Sequence, residues 1–270
     1  MYNSISMTRM ASSIAYAMGA EAPRQADPAI PLVTDMVDEV LNGGKADRVL
    51  IYNPDCIGLW MYQKYTEDLA PVLHATQLAL PIATVAPSWT PVCFGSMYTG
   101  VSPDVHGIKG YVKPVITVDS LFDSLPRSGK KVALVTVAKS SMAMVYLNRE
   151  IDYYIEEYDD AVTEKALELI QKDQYDLIVV YNQEYDDMIH RTQPESPEAM
   201  AAFHHHIDAF DRLTKCVKAN WADHDTMVVW ASDHGNHMND QDHGAHGEDC
   251  PRSIRNKDER PAHRVCAGRP

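Results

Sequence analysis

The groups in this sequence that could bind cations or attack an electrophile fall in a few short stretches, far apart along the chain. Asp55 sits in "YNPDCIG" and Thr90 opens "TPVCFGSMYTG". Asp186 and His190 share "YDDMIH", Asp233, His234 and His237 share "SDHGNH", and His243 and His246 share "DHGAHGED". If "YDDMIH" is helical, its i, i+4 spacing puts Asp186 and His190 on one face, where they grip one ion or simply pair with each other. Asp55 and Asp233-His234-Gly235 are equally compatible with turns that end strands. Carboxylates and imidazoles suit Zn2+, with Mn2+ or Fe2+ as alternatives. With no cysteine at these positions, a catalytic site with open coordination fits better than a closed structural zinc site. Thr90 before Pro91 has two readings: a hydroxyl that caps a helix with Pro at its first position, or a nucleophile. On the second reading the Val92 and Cys93 N–H groups at the helix N-terminus would face an incoming anion.

The elements that must hold these groups follow from hydrophobic periodicity. Helical segments are expected at 4–20, over "DPAIPLVTDMVDEVLNGG", from Met61 to Ala79, in "SLFDSLPRSGK", in "DDAVTEKALELIQKDQ" and in "PEAMAAFHHHIDAFDRLTKCVKANW". Short apolar runs read as strands at "RVLIYN" (48–53), "ALPIATV" (79–85), "KVALVTV" (131–137), "YDLIVVYN" (175–182) and "DTMVVWAS" (225–232). Strands alternating with helices predict an α/β fold, a three-layer α/β/α arrangement around a mostly parallel central sheet. Ligands of such sheets collect beyond the carboxyl ends of the strands. Asp55, Thr90, Asp186 and Asp233-His234 each follow a predicted strand.

The 270 residues read as one domain, with 1–45 as an N-terminal helical segment and 251–270 as a loosely ordered tail without periodicity. With 45% hydrophobic residues the chain has the material for a sizeable core. A formal charge of −14 argues against nucleic acid or an anionic membrane as a partner. An anionic substrate would then need a local positive centre, which bound cations supply. The cysteines Cys56, Cys93, Cys216, Cys250 and Cys266 form no CxxC, and no signal-like or 18-residue apolar run is present; the expectation is a cytoplasmic protein without a membrane anchor.

In order and spacing, these motifs resemble the alkaline phosphatase superfamily, in its nucleotide pyrophosphatase/phosphodiesterase-like branch. The match runs from Asp55 through Thr90, Asp186/His190 and Asp233-His234-Gly235 to His246 in "HGED". The resemblance implies two divalent metal ions, most readily Zn2+. One would be held by Asp186, His190 and His246, the other by Asp55, Asp233, His234 and Thr90. His243 rivals His246, which is preferred because the Gly-Glu-Asp after it looks like the family's His-Gly-x-Asp. The implied function is hydrolysis of a phosphoester in a small phosphorylated substrate through a phospho-threonine intermediate, as in diesterases and nucleotide pyrophosphatases. The same site could serve phosphate monoesters or phosphonates. From another class, the chain could be a non-catalytic metal- or phospholigand-binding module.

Two departures from the family pattern stand out. Cys93 occupies the position where an Asn usually helps bind phosphoryl oxygen, so it is either a small core residue or a substrate contact. No arginine matches the phosphate-binding one of many monoesterases; Lys64, Lys139 and Arg191 are candidates by position. A sulfatase would require a C/S-x-P-x-R setting that "TPVCF" lacks. His204-His205-His206 lies within a predicted helix, where consecutive residues diverge, so a solvated face is expected there. His106 is expected to shape the turn after the Thr90 helix, and His237 to orient a ligand or face solvent.

Overall fold

In the computed structural model, which describes residues 5–236 and the backbone of 264–267, seven strands occur. They are β1 (Arg48–Pro54), β2 (Leu80–Ala83), β3 (Val132–Val137), β4 (Asp152–Glu156), β5 (Leu177–Asn182), β6 (Thr226–Trp230) and β7 (Arg264–Ala267). Five form one sheet in the order β4-β3-β5-β1-β6, and every pairing in it is parallel. The mostly parallel sheet expected from the sequence is therefore present.

The period-2 alternation of the strands sorts their residues between two cores. Val49 and Ile51 of β1, Leu177, Val179 and Tyr181 of β5, and Val132 and Leu134 of β3 pack on one face, against the helices Met10–Ala17, Thr90–Thr99 and Leu121–Arg127. Leu50 and Tyr52, Ile178 and Val180, and Ala133 and Val135 pack on the other, against Asp159–Lys172 and Pro197–Asn220. Burial on both faces explains why β1, β3 and β5 read as continuous apolar runs in the sequence.

Some expected elements are placed differently. The 79–85 run gives β2, but β2 lies outside the main sheet, in an antiparallel ladder with β7, and Ala83 also bridges to Ser6. The segment 61–79 is not one helix: Leu59–Lys64 and Ala70–Ala75 are separate, the second beginning at the Ala70-Pro71 step where Pro has no N–H to lose. Residues 139–158, to which the sequence reading assigned nothing, contain the short helix Ser141–Val145 and the edge strand β4. Part of the expected tail, Arg264–Ala267, is a strand; the rest of 251–270 lies outside the described residues. Among the described residues no helix is long and apolar enough to cross a membrane.

Gly100 ends the Thr90–Thr99 helix at φ 76°, and a Cβ there would lie 2.3 Å from Ala26 Cβ and 2.9 Å from Ala26 Cα. Both the backbone conformation and the contact exclude a side chain. Gly100→Ala is expected to destabilise the fold by about 2–4 kcal/mol, combining left-handed strain with overpacking. Urea denaturation checks this, and an unchanged midpoint would contradict it.

Candidate active site

β1 lies between β5 and β6, so the segments leaving these three adjacent strands emerge side by side. Asp55 follows β1, and its N–H donates to the Asn182 carbonyl at the end of β5 at 3.0 Å. Asp233 and His234 follow β6, whose next residue, Ala231, donates its N–H to the Tyr52 carbonyl at 2.9 Å. One carboxylate oxygen each from Asp55 and Asp233 and a ring nitrogen of His234 lie within 4.8 Å of one another, all three residues buried. His234 Nε2 is 3.4 Å from Asp55 Oδ1 and 3.4 Å from Asp233 Oδ2.

Thr90 joins this cluster from the far side of the sequence. Its helix is capped by Trp89, not by Thr90, and no side chain caps it, so Thr90 and Pro91 are the first two helical residues. The hydroxyl is therefore not used as a cap: Thr90 Oγ1 lies 3.1 Å from His234 Nε2, buried. The Val92 and Cys93 N–H groups, expected to face a substrate, both donate to the Trp89 carbonyl at 2.9 Å. Both are therefore engaged within the helix: Cys93 makes its first i, i−4 bond, and Val92 a tighter i, i−3 bond to the same carbonyl.

Asp186 and His190 share a face of the helix Glu184–Arg191, with His190 Nε2 3.3 Å from Asp186 Oδ2. The hydrogen bond to Asp186 raises the His190 pKa above its ordinary value. Asp186 is brought to the cluster: Asp186, Cys56 and His234 also offer ligand atoms within 4.8 Å of one another, and His190 adjoins it through Asp186. Sequence reasoning put no cysteine in the ligand shell; the structure puts Cys56 within reach of it. His243, His246 and His237 lie outside the described residues.

Electrostatics sets the character of the cluster. Burial, then the charges of Asp233 and Asp186, push the Asp55 carboxyl well above the usual carboxylate range, opposed by a hydrogen bond from Tyr181. Asp55 Oδ1 and Asp233 Oδ2 are buried without a hydrogen-bond donor among the described residues. Buried carboxylate oxygens are rarely left so, and oxygen and nitrogen atoms converging this way are the donor set a divalent cation requires. The residues present therefore fit the expected metal.

Supporting residues were not anticipated. Asn53 and Tyr181 sit on the face of β1 and β5 that meets the Thr90 helix. Tyr181 holds Asp55, while Asn53 donates to the Ala231 carbonyl at 2.6 Å and accepts from Tyr98. Strand alternation alone points them there. Asp159 accepts the Gln183 and Glu184 N–H groups at 3.0 and 2.8 Å, capping the helix that carries Asp186. His206, expected on a solvated face, is buried: the Tyr185 N–H donates to its Nε2 at 3.2 Å and its Nδ1 meets the Tyr52 hydroxyl at 2.8 Å. Burial lowers its pKa to about 3, so it is neutral. His204 and His205 are exposed, as expected. His106 shapes the turn after the Thr90 helix, accepting the Ile108 N–H at Nδ1 and meeting Ser96 Oγ at 2.9 Å.

Of the cation candidates, Lys64 pairs with Glu195, and Lys139 contributes a carbonyl that accepts from Lys113 Nζ at 2.9 Å. Lys113 is the lysine that feels the site: burial lowers its pKa while Asp55 and Asp187 raise it. Tyr111, on the same segment, is pushed up to about 12 by burial and by Asp55, Asp186, Asp187 and Asp233. Cys93 is wholly buried in the core beside Val92 and Phe94, its thiol raised well above its ordinary value by burial, Asp233 and Asp55.

A parallel α/β/α sheet with a threonine, carboxylates and an imidazole gathered at its carboxyl edge defines an α/β protein with residue groups able to hold metal ions. The chain belongs to the type I phosphodiesterase / nucleotide pyrophosphatase family, whose sequence pattern it matches over residues 60–266. Among solved structures it is similar to murine ectonucleotide pyrophosphatase/phosphodiesterase 5, an inactive form in complex with AMP, at 18% identity and TM-score 0.56 over 70% of this chain and 57% of that one. It is also similar to phosphonoacetate hydrolase from Sinorhizobium meliloti in complex with phosphonoformate (18% identity, TM-score 0.52, 72% of this chain and 58% of that one). A 2-O GAG sulfatase shares 13% identity at TM-score 0.58 over 83% of this chain and 65% of that one. The chain thus spans 57%, 58% and 65% of the lengths of these neighbours, and at such identities the likeness shows the fold. No curated protein sequence matches it.

Two outcomes follow from the electrostatics. Zinc added to chelator-treated protein should raise Tm by about 5–10 °C at ~100-fold excess over Kd, and Asp233→Asn should remove most of that shift in differential scanning fluorimetry. Separately, burial pushes the Asp159 carboxyl from 3.8 up to about 7. The folded chain then holds a proton there that the unfolded chain has lost, so this group's contribution to stability falls as pH rises through that window. Urea midpoints should decline less steeply between about pH 4 and 7 in Asp159→Asn than in wild type; parallel slopes would contradict the assignment.

Proposed function

We propose that this chain is a divalent-cation-dependent phosphoester hydrolase of the diesterase and nucleotide pyrophosphatase kind, with Thr90 as its nucleophile. The observation that carries the reading is the buried contact of Thr90 Oγ1 with His234 Nε2, inside the group formed by Asp55, Asp233 and His234. In this reading Asp55, Asp233, His234 and Thr90 hold one ion, and Asp186 and His190, with His246 or its rival His243, hold the other. Zn2+ fits this oxygen and nitrogen set, with Mn2+ or Fe2+ as alternatives. When bound, such ions polarise phosphoryl oxygens and make a coordinated hydroxyl a stronger nucleophile.

The chain's own residues then act as follows. The start of the Thr90 helix fixes the hydroxyl at the carboxyl edge of the sheet, where the helix dipole favours an anionic substrate. Thr90 Oγ1 passes its proton to solvent and bonds to phosphorus while the bond from phosphorus to the leaving oxygen breaks. That oxygen takes a proton from solvent, and a phospho-threonine remains. Water then loses a proton to solvent as it bonds to phosphorus, the bond from phosphorus to Thr90 Oγ1 breaks, and the threonine oxygen takes up a proton to restore the hydroxyl. Tyr181 keeps Asp55 in place during both steps, and Lys113 supplies positive charge towards the substrate's phosphate. The neutral Cys93 shapes the wall one turn into the helix, where the family's Asn would offer a polar group. Diester substrates are favoured by the family to which the chain belongs. The structural neighbour that binds phosphonoformate supports phosphonates as the second reading.

The test is p-nitrophenol release by zinc- or manganese-loaded protein from bis-p-nitrophenyl phosphate and p-nitrophenyl phosphate, with phosphonoacetate turnover followed by phosphate release. Diester turnover should dominate, and Thr90→Ala should lower it by at least ~10³-fold. Equal rates in the variant would remove Thr90 from the mechanism. Metal binding without turnover of any substrate would favour the binding module.

A further inference from the structure

Cys56 follows Asp55 directly, in a conformation unusual for a cysteine. Its φ is 65°, in the left-handed region that glycine adopts without penalty and other residues seldom do. Its N–H donates to Asp233 Oδ1 at 3.1 Å. Its thiol is wholly buried and donates to the Gly235 carbonyl at 3.2 Å. Cys56 Sγ, a carboxylate oxygen of Asp186 and a ring nitrogen of His234 all lie within 4.8 Å of one another. Around the same loop, Asp55 Oδ1 and Asp233 Oδ2 are buried carboxylate oxygens with no hydrogen-bond donor among the described residues. The sulfur therefore sits at the edge of a pocket of converging ligand atoms, held there by a backbone tied to Asp233 itself.

We propose that Cys56 is a metal-binding thiol lying between the two cation positions given above, within reach of Asp186 of one and His234 of the other, where it adds sulfur to the oxygen and nitrogen atoms offered to a thiophilic divalent cation, zinc above all. The proposal rests on the cation-dependent reading given above and adds a ligand type that the oxygen and nitrogen set lacks. Tetrahedral zinc, with bonds of about 2.0–2.3 Å, spaces its ligand atoms about 3.5 Å apart. The three atoms, within 4.8 Å of one another, would draw together towards that spacing as the ion binds. On binding, the S–H bond breaks, a sulfur–metal bond forms and the proton passes to solvent. A sulfur ligand favours zinc over harder ions such as Mg2+ or Mn2+. It also gives a chemical reason for a side chain at a backbone position that glycine would fill with less strain.

The experiment is cobalt(II) titration of the reduced protein, read by absorption. A thiolate on cobalt gives a near-ultraviolet charge-transfer band that oxygen and nitrogen ligands do not. Wild type should show the band in proportion to cobalt taken up. Cys56→Gly, whose backbone suits φ 65°, and Cys56→Ser should lose the band while still binding cobalt, seen by metal content and visible d–d absorption. Cys93→Ser should keep it. Zinc affinity of Cys56→Gly should fall roughly tenfold or more, at least as much as loss of a supporting group costs a metal site, with manganese affinity little changed. A band that persists in Cys56→Gly, or cobalt-loaded wild type without one, would overturn the sulfur ligand and leave the cation site standing. Failure of wild type to bind cobalt at all would overturn both readings.

Discussion

Two buried carboxylates, from Asp55 and Asp233, and the half-buried one of Asp186 are brought together at one edge of the sheet, and much of the surrounding structure serves to keep them there. Two like charges 4 Å apart repel by about 4 kcal/mol at an effective dielectric constant near 20. Burial first, then the charges of Asp233 and Asp186, push the Asp55 carboxyl well above the usual carboxylate range. Neighbouring groups reduce the strain in part: Tyr181 donates to Asp55, the Cys56 and His234 N–H groups donate to Asp233 Oδ1, and His190 lies against Asp186. The oxygens left over, Asp55 Oδ1 and Asp233 Oδ2, face the same small space. Positive charge placed there relieves a repulsion that the fold otherwise has to sustain.

Strand order is what makes the convergence possible. Parallel strands lie about 4.8 Å apart, and β5, β1 and β6 are consecutive neighbours, so their carboxyl ends deliver Asp186, Asp55 and Asp233 side by side. Asn53 and Tyr181 extend the alternation of β1 and β5 by one polar residue each. They clamp the loop after β6, Asp55 and the Thr90 helix to one another. On the opposite face, Asp159 and the neutral His206 hold the start of the Glu184–Arg191 helix, fixing where Asp186 points. The site is thus held from both layers of helices, not by loops alone.

Thr90 reaches the cluster by a different route. β2 leaves the main sheet, so the hydroxyl is not carried by a sheet strand; it arrives on a helix packed through Phe94, Met97 and Tyr98 against the core. Because Trp89 provides the cap, the Thr90 side chain is free of that duty and turns to His234. Of the two readings of Thr90-Pro91 that the sequence left open, this one shift of the cap excludes the helix-cap reading.

Hydrophobic patterning by itself determined the α/β class, the strands 48–53, 131–137, 175–182 and 225–232 and the long helices between them, because burial on two faces writes continuous apolar runs; the acidic and imidazole motifs and their order were legible as residue identities. It also put Asp186 and His190 on one helical face, since i, i+4 spacing is a local property. Only the tertiary structure decided that β2 lies outside the sheet, that 61–79 breaks in two and that β4 closes the far edge, since pairing partners are remote and these segments are short. The same holds for His206, which three adjacent histidines cannot distinguish from His204 and His205 until the helix is packed. Tyr181 and Asp159 went unread for one reason. Each acts on a neighbour distant in sequence, Asp55 for the first and the Gln183 and Glu184 N–H groups for the second, and a sequence records the identity of a side chain but not what packing sets beside it.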